Sequence, residues 1–334
     1  MWSEQPLEVL LHKSLQGLPE PARTDLFADY NSARRFVTEE ITGHIATTEP
    51  DLTDHSDRHL MDVMNRVHAV IGESTKYFTA YELYLLAVSI LFHDVGNLHG
   101  RSEHHKKVAG IYDACRKREA RFNTERNAVL AIAGAHTGST KDGSKDTIRD
   151  VGQFSFQAHP VRGQQVAAVL RFADELAEGP QRTSAYLQNQ GMYKPDSRIF
   201  HKYAAITDYC VDPGAERIAL TYNIDVERGH SELEAGNAVL LTQLLTFSYS
   251  RITKLDQERR YCKHYCDLLS VFKETGAWFN FFYDGQKLDL GLEPIVISDL
   301  IVPGELTKRI EEIDTKYKVS TLVGALEGAC AITS

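Results

Sequence analysis

The sequence predicts a mainly α fold: a helical bundle over residues 1–198, then a smaller α+β region over residues 199–334. Three observations carry this. Apolar residues recur at helical spacing in the front part, as at Leu60, Met64, Val67 and Ile71. The stretch LYLLAVSILF, residues 83–92, is apolar on every side, the pattern of a helix enclosed by others. Beyond residue 198, β-branched and aromatic runs appear around turn residues.

Taken in order, residues 5–46 read as helices broken at Gly17-Leu18-Pro19 and around Arg23-Thr24-Asp25. Thr53, Asp54, His55 and Ser56 are candidate N-caps for the helix that carries Leu60 to Ile71. The buried helix follows, from about Ala80 to Asp94, and then helical patterns over 104–120 and 124–135. HTGSTKDGSKDTIRD is polar and loop-like, and Val161 to Ala177 returns to helical periodicity. YAAITDYCVDPGAERIALTYNIDV reads as two strands around an Asp-Pro-Gly turn. A long helix over 231–273 comes next, then strands in WFNFFY and PIVISDLIV and a short closing helix in ELTKRIEEIDTKY.

Composition narrows the function classes. The chain of 334 residues has a formal charge of −9, which argues against a broadly basic nucleic-acid surface. An anionic substrate then calls for a metal or a focused group of cations. The five cysteines are scattered and odd in number, and the start is not signal-like, so a reducing cytoplasm is expected. No apolar run reaches membrane-spanning length, so no membrane partner is expected. The glycine-rich stretch around 138–144 lacks the Gly-Lys-Ser/Thr end of a phosphate-binding loop, and no nucleophile elbow or dinucleotide fingerprint is present.

Four positions stand out once the helices are laid side by side: His59, His93, Asp94 and Asp174. His93 and Asp94 end the buried helix, His59 opens the helix before it, and Asp174 lies in LRFADELAEG. Imidazole and carboxylate together suit a divalent cation with open positions for water, and the absence of thiolates argues against a structural zinc site. Singly, each has an ordinary reading: His59 as a polar helix-start residue, Asp174 as a partner of Arg171. Asp94 resists that reading, because a carboxylate behind an apolar run needs a partner.

The order His59, His93-Asp94, Asp174 resembles the HD superfamily of metal-dependent phosphohydrolases. The contexts HLMDV, LFHDVGN and LRFADEL resemble its successive elements, and with Arg-x-x-His at Arg101–His104 they resemble most closely the HD-CE-like subtype. The resemblance covers roughly residues 50–185 and implies an HD-type helical bundle. It implies one or two divalent ions (Mn, Mg, Fe, Co, Ni or Zn), the first held by His59, His93, Asp94 and Asp174. Members with two metals add histidines between the HD pair and the last aspartate. His104 and His136 are the first candidates for a second metal or for catalysis, with His105 and His159 behind them. Asp94 and Arg101 complete the catalytic candidates, Arg101 as a phosphate clamp. Lys106 and Lys107 are further candidate phosphate contacts, with a solvated-face reading beside them. His55 reads as an exposed cap or a supporting group, and His99 as incidental.

Asn97 stands where cyclic-dinucleotide phosphodiesterases of the superfamily carry lysine, and no Gly-Tyr-Pro motif is present, which turns the reading away from that substrate. The spacing Cys262-Lys-His-Tyr-Cys266 suggests a metal clip, but it lies within a helical pattern with no second ligand pair and reads as packing. The expected function is hydrolysis of a phosphomonoester or phosphodiester in a nucleotide, with residues 137–160 as a candidate lid. The alternatives are a metal-dependent single-strand nuclease and a nucleotide-sensing or partner-binding module without turnover. The long 231–273 helix is a candidate homo-oligomer or partner element.

Overall fold

The computed structural model describes residues 2–73, 77–102, 104–226, 237–300, 303 and 309–333. Two compact units result: residues up to Ala177 together with Arg259–Ser270, and Glu178–Glu258 together with Val271–Ser334. The expected boundary at residue 198 moves forward because the short helices after Ala177 fold with the strands that follow them.

The first unit is helical. Its helices are α1 (Pro6–Leu15), α2 (Ala22–Phe36), α3 (Gly43–Thr48), α4 (Asp57–Ile71), α5 (Ala80–Phe92), α6 (His104–Cys115) and α7 (Asn123–Gly134). A hairpin of β1 (Phe154–Phe156) and β2 (His159–Val161) follows, then α8 (Gly163–Leu176). A π-helical turn, Val37–Thr42, joins α2 to α3. The break at Gly17–Pro19 is present. The expected one around Arg23–Asp25 is not, because these residues open α2, with the Thr24 hydroxyl bonded 2.8 Å to Glu20. The helix expected over 104–120 stops at Cys115, where Lys117 and Arg118 take left-handed backbone conformations.

α5 is the axis of this unit. All thirteen of its residues are buried, and it packs against α1, α2, α4, α7 and α8. Thr79 starts it with a reciprocal cap: the Thr79 hydroxyl accepts from Glu82 N at 3.2 Å, and Glu82 Oε2 accepts from Thr79 N at 2.9 Å. Ser56 is the N-cap of α4, its hydroxyl accepting from Arg58 N at 3.2 Å. Truncating any one buried leucine of α5 to alanine is worth about 2–5 kcal/mol, so the end of this helix is a rigid place for a ligand.

The second unit is α+β. It contains α9 (Ala185–Asn189), α10 (Pro195–Ile206), β3 (Thr207–Asp212), β4 (Arg217–Val226) and α11 (Asn237–Tyr265), whose last turns, from Arg259, belong to the first unit. After α11 come β5 (Glu274–Tyr283), β6 (Gln286–Leu288), β7 (Ile295–Ser298), α12 (Ile310–Ile313) and α13 (Val319–Thr333). β3 and β4 pair antiparallel, β4 and β5 pair parallel from Arg217↔Glu274 to Val226↔Tyr283, and α11 is the crossover between them. β7 and β6 lie antiparallel along successive parts of β5.

Four expectations change in this unit. Tyr203–Ile206, read as strand, form the last turn of α10, where the buried Tyr203 hydroxyl meets those of Tyr209 and Tyr222. The long helix ends at Tyr265 rather than 273, with a 3₁₀ turn at Asp267–Val271 before β5, and its expected start at 231–236 lies outside the described residues. The last strand runs from Ile295 to Ser298 and does not include Asp299 and Leu300, and its expected residues 301 and 302 lie outside the described residues. The closing helix is α13, and only Ile310–Ile313 of the expected segment is α-helical, residues 305–308 again lying outside. Among the described residues no helix is long and apolar enough to cross a membrane, and the five cysteines are free thiols.

Candidate metal centre

Five helices deliver side chains to one end of the first unit. His59 is in the first turn of α4, His93 caps the C-terminus of α5, and Asp94 follows it. His104 is the first residue of α6, His136 lies just past the end of α7, and Asp174 sits in the last turn of α8. His59 and His93 are buried, Asp94 is 8% exposed, and the sequence distance from His59 to Asp174 closes to atomic contact.

The donors fall into two sets that share Asp94: His59, His93, Asp94 and Asp174, and Asp94, His104 and His136. In the first, Asp174 Oδ1 is 3.3 Å from His59 Nε2 and 3.5 Å from His93 Nε2. Asp94 Oδ2 is 3.7 Å from His59 Nε2 and 3.4 Å from His93 Nε2. In the second, Asp94 Oδ1 is 3.2 Å from His104 Nε2 and 3.5 Å from His136 Nε2. One carboxylate thus gives one oxygen to each set.

Three histidines share one local geometry. The Nδ1 of His93, His104 and His136 faces the carbonyl three residues earlier, Ile90 at 2.8 Å, Arg101 at 3.1 Å and Ala133 at 2.5 Å. That carbonyl accepts from Nδ1–H and turns Nε2 toward the carboxylates, the arrangement that supports a metal-bound imidazole. His59 lacks such an anchor at Nδ1, and the Nε2 atoms of His59, His93 and His104 are buried with no hydrogen-bond partner. Two ligand atoms about 2.1 Å from a common ion, at tetrahedral to octahedral angles, are roughly 3.0–3.4 Å apart. The observed separations, 3.2–3.7 Å, lie within that spacing or up to 0.3 Å beyond it, and orphaned buried nitrogens are what a cation would satisfy. The residues present fit a divalent ion in each set.

Electrostatics agree. Burial works against charge on Asp94, but the facing His93 and then His104, His136 and His59 hold it well below the usual carboxylate range. Asp174 is likewise held low against burial by His59 and His93. His93 and His104 are raised against burial, mainly by Asp94. Both aspartates are therefore carboxylates at neutral pH, and protons on the imidazoles are what an entering cation displaces.

The other candidate residues lie as follows. Arg101 is exposed, its carbonyl serving His104 and its backbone N–H donating 3.3 Å to Glu49. Lys106, Lys107 and His99 are exposed. The His105 ring packs against the Gly138 backbone. His159 is not in a loop: it lies on β2, stacked 4.2 Å on Tyr81 near the start of α5, about 18 Å of helix from His93. That hairpin also takes residues 154–160, the last part of the expected 137–160 lid. His55 comes closer than its sequence position suggested. Its Nδ1 faces the Thr53 carbonyl, and its Nε2 lies 3.6 Å from Asp94 Oδ2. Asn97 is buried in the turn after Asp94, its N–H bonded 3.0 Å to the Asp94 carbonyl.

The family model described as HD-CE matches residues 49–255, more than half of the chain. The chain belongs to the HD-CE family. The match takes in all of the donors above and runs on through β3 and β4 into α11, well past the region around 185 where the resemblance was legible by eye. Comparison with curated proteins and with solved structures gave no match.

Proposed function

We propose that this HD-CE protein is a metal-dependent phosphohydrolase that cleaves a phosphomonoester or phosphodiester bond in a nucleotide. The observation that carries the reading is the division of the Asp94 carboxylate between two sets of buried imidazole nitrogens. A divalent ion in such a site acidifies a water molecule and polarises a phosphoryl oxygen.

The protein's own groups supply the rest. His59, His93, Asp94 and Asp174 would hold one ion, and Asp94, His104 and His136 a second. The carbonyls of Ile90, Arg101 and Ala133 hold the rings in the ligating tautomer. The exposed Arg101 side chain, in the turn that positions His104, is available to a non-bridging phosphate oxygen. His55, 3.6 Å from Asp94 Oδ2, stands beside the first set.

The test is a panel of nucleotides and oligonucleotides presented to the metal-reconstituted protein, with released phosphate and nucleoside measured. Asp94→Ala is expected to lower turnover by at least about 10²–10³-fold and to abolish binding of both ions. Unchanged hydrolysis in that variant, or no uptake of any divalent ion by the wild type, overturns the proposal.

A further inference from the structure

We propose that Tyr261 and Tyr265, in the last turn of α11, are positioning residues for His136 and thereby set the occupancy of the second ligand set. The inference rests on the metal-centre reading above and adds to it a part of the chain remote from every ligand in sequence.

His136 has no helical turn of its own. α7 ends at Gly134, and the Nδ1 bond from His136 to the Ala133 carbonyl orients the ring only if the peptides between them stay in place. What holds them is the chain returning at Asp146–Ile148. The Thr147 hydroxyl donates 2.6 Å to the Ala135 carbonyl, adjoining His136. Arg171 Nη1, from α8, donates 2.8 Å to the Thr147 hydroxyl and 3.3 Å to the same carbonyl.

This clasp is itself held from α11. Tyr261 and Tyr265 donate to one oxygen, Asp146 Oδ1, at 2.9 and 2.6 Å. The Tyr261 hydroxyl also accepts from Ile148 N at 3.0 Å, and the Arg171 guanidinium lies 4.6 Å from the centre of the Tyr261 ring. Burial pushes the Tyr261 hydroxyl up to about 12, so it remains a donor throughout the neutral range. Asp146, Thr147 and Ile148 are thus all fixed through or beside the two phenols. His59, His93 and Asp174 lie within or at the cap of their own helices and make none of these contacts, so the effect falls on one ligand set. The Cys262-Lys-His-Tyr-Cys266 spacing thereby acquires a role without metal: its cysteines are buried thiols, and its Tyr265 supplies the grip.

The experiment uses the full chain carrying Tyr261→Phe and Tyr265→Phe together, which removes both hydroxyls and keeps both rings. The metal-free proteins are titrated with Mn²⁺ by calorimetry, and the electron-spin signal of coupled manganese pairs is followed. The first equivalent is expected to bind as in wild type, and the second about 10–100-fold more weakly, with loss of the pair signal. Adding His136→Ala to the double variant should weaken the second equivalent no further than His136→Ala alone, because the phenols act through that histidine. Equal binding of both equivalents in wild type and double variant overturns the proposal, as does equal weakening of both. A wild type that takes up a single equivalent overturns the second ligand set itself, a result separable from either of these.

Discussion

At the scale of single residues, Gly96 shows how an absent side chain sets the ligand count. A β-carbon there would lie 1.9 Å from the His104 carbonyl oxygen, so only glycine lets the turn after Asp94 touch the start of α6. Gly96→Ala is expected to displace His104 and remove the second equivalent of metal while sparing the first, which metal analysis of the purified variant would report. His59, His93, Asp94 and Asp174 were legible in the sequence because charge-bearing ligands bordering apolar runs must find partners, and they find one another. His55 was not. Its approach to Asp94 depends on the irregular backbone before α4, which no helical spacing encodes. The place of His159 was lost for a related reason: the hairpin turn is made by Gln157 and Ala158 in left-handed conformations, without the glycine or asparagine that usually marks one.

Among elements, α5 was plain in the sequence and the segments around it were less so. Its length and all-round apolarity leave no alternative to burial, whereas α13, rich in small residues with little periodicity, carries no comparable signal. The N-terminus of α5 also bears a pH dependence. Burial would raise the Glu82 carboxyl, but Arg162 and the Thr79 and Arg162 backbone N–H groups lower it overall. A carboxyl lowered by folding adds stability above its unfolded value, near pH 4.3, and that contribution fades as pH falls through the lower folded value. Urea unfolding of wild type should therefore lose part of its free energy between neutral pH and roughly pH 3–4. Glu82→Gln should be less stable at pH 7 by about 1–3 kcal/mol and show a flatter profile. Glu125 offers a second test. It accepts from Tyr84, Tyr112 and Arg116, all buried, and Glu125→Ala is expected to cost about 3–5 kcal/mol because it strands the Arg116 charge.

For the whole molecule, ligands drawn from α4 to α8 mean that a bound ion ties together helices distant in sequence. Each ion at a hundredfold excess over its dissociation constant should add about 2.7 kcal/mol to the unfolding free energy. Thermal unfolding with Mn²⁺ and with chelator would show this shift in wild type and none in Asp94→Ala. The order of a helical front and an α+β back was readable from texture alone. The unit boundary was not, because α9 and α10 look like the front of the chain but fold with the strands, and the last turns of α11 return to the first unit.

The sharing of Asp94 has a consequence for the order in which things bind. The ion pairs of the Asp94 and Asp174 carboxylates run to histidines, so once an entering cation has displaced the imidazole protons the ligands themselves carry two negative charges. One divalent ion brings that charge to zero, and only a second makes the centre attractive to an anion. If the proposed phosphohydrolase activity holds, saturation with substrate should then follow the filling of the His104–His136 side, so that scarcity of metal is felt as a rising KM before it is felt as a loss of the fold.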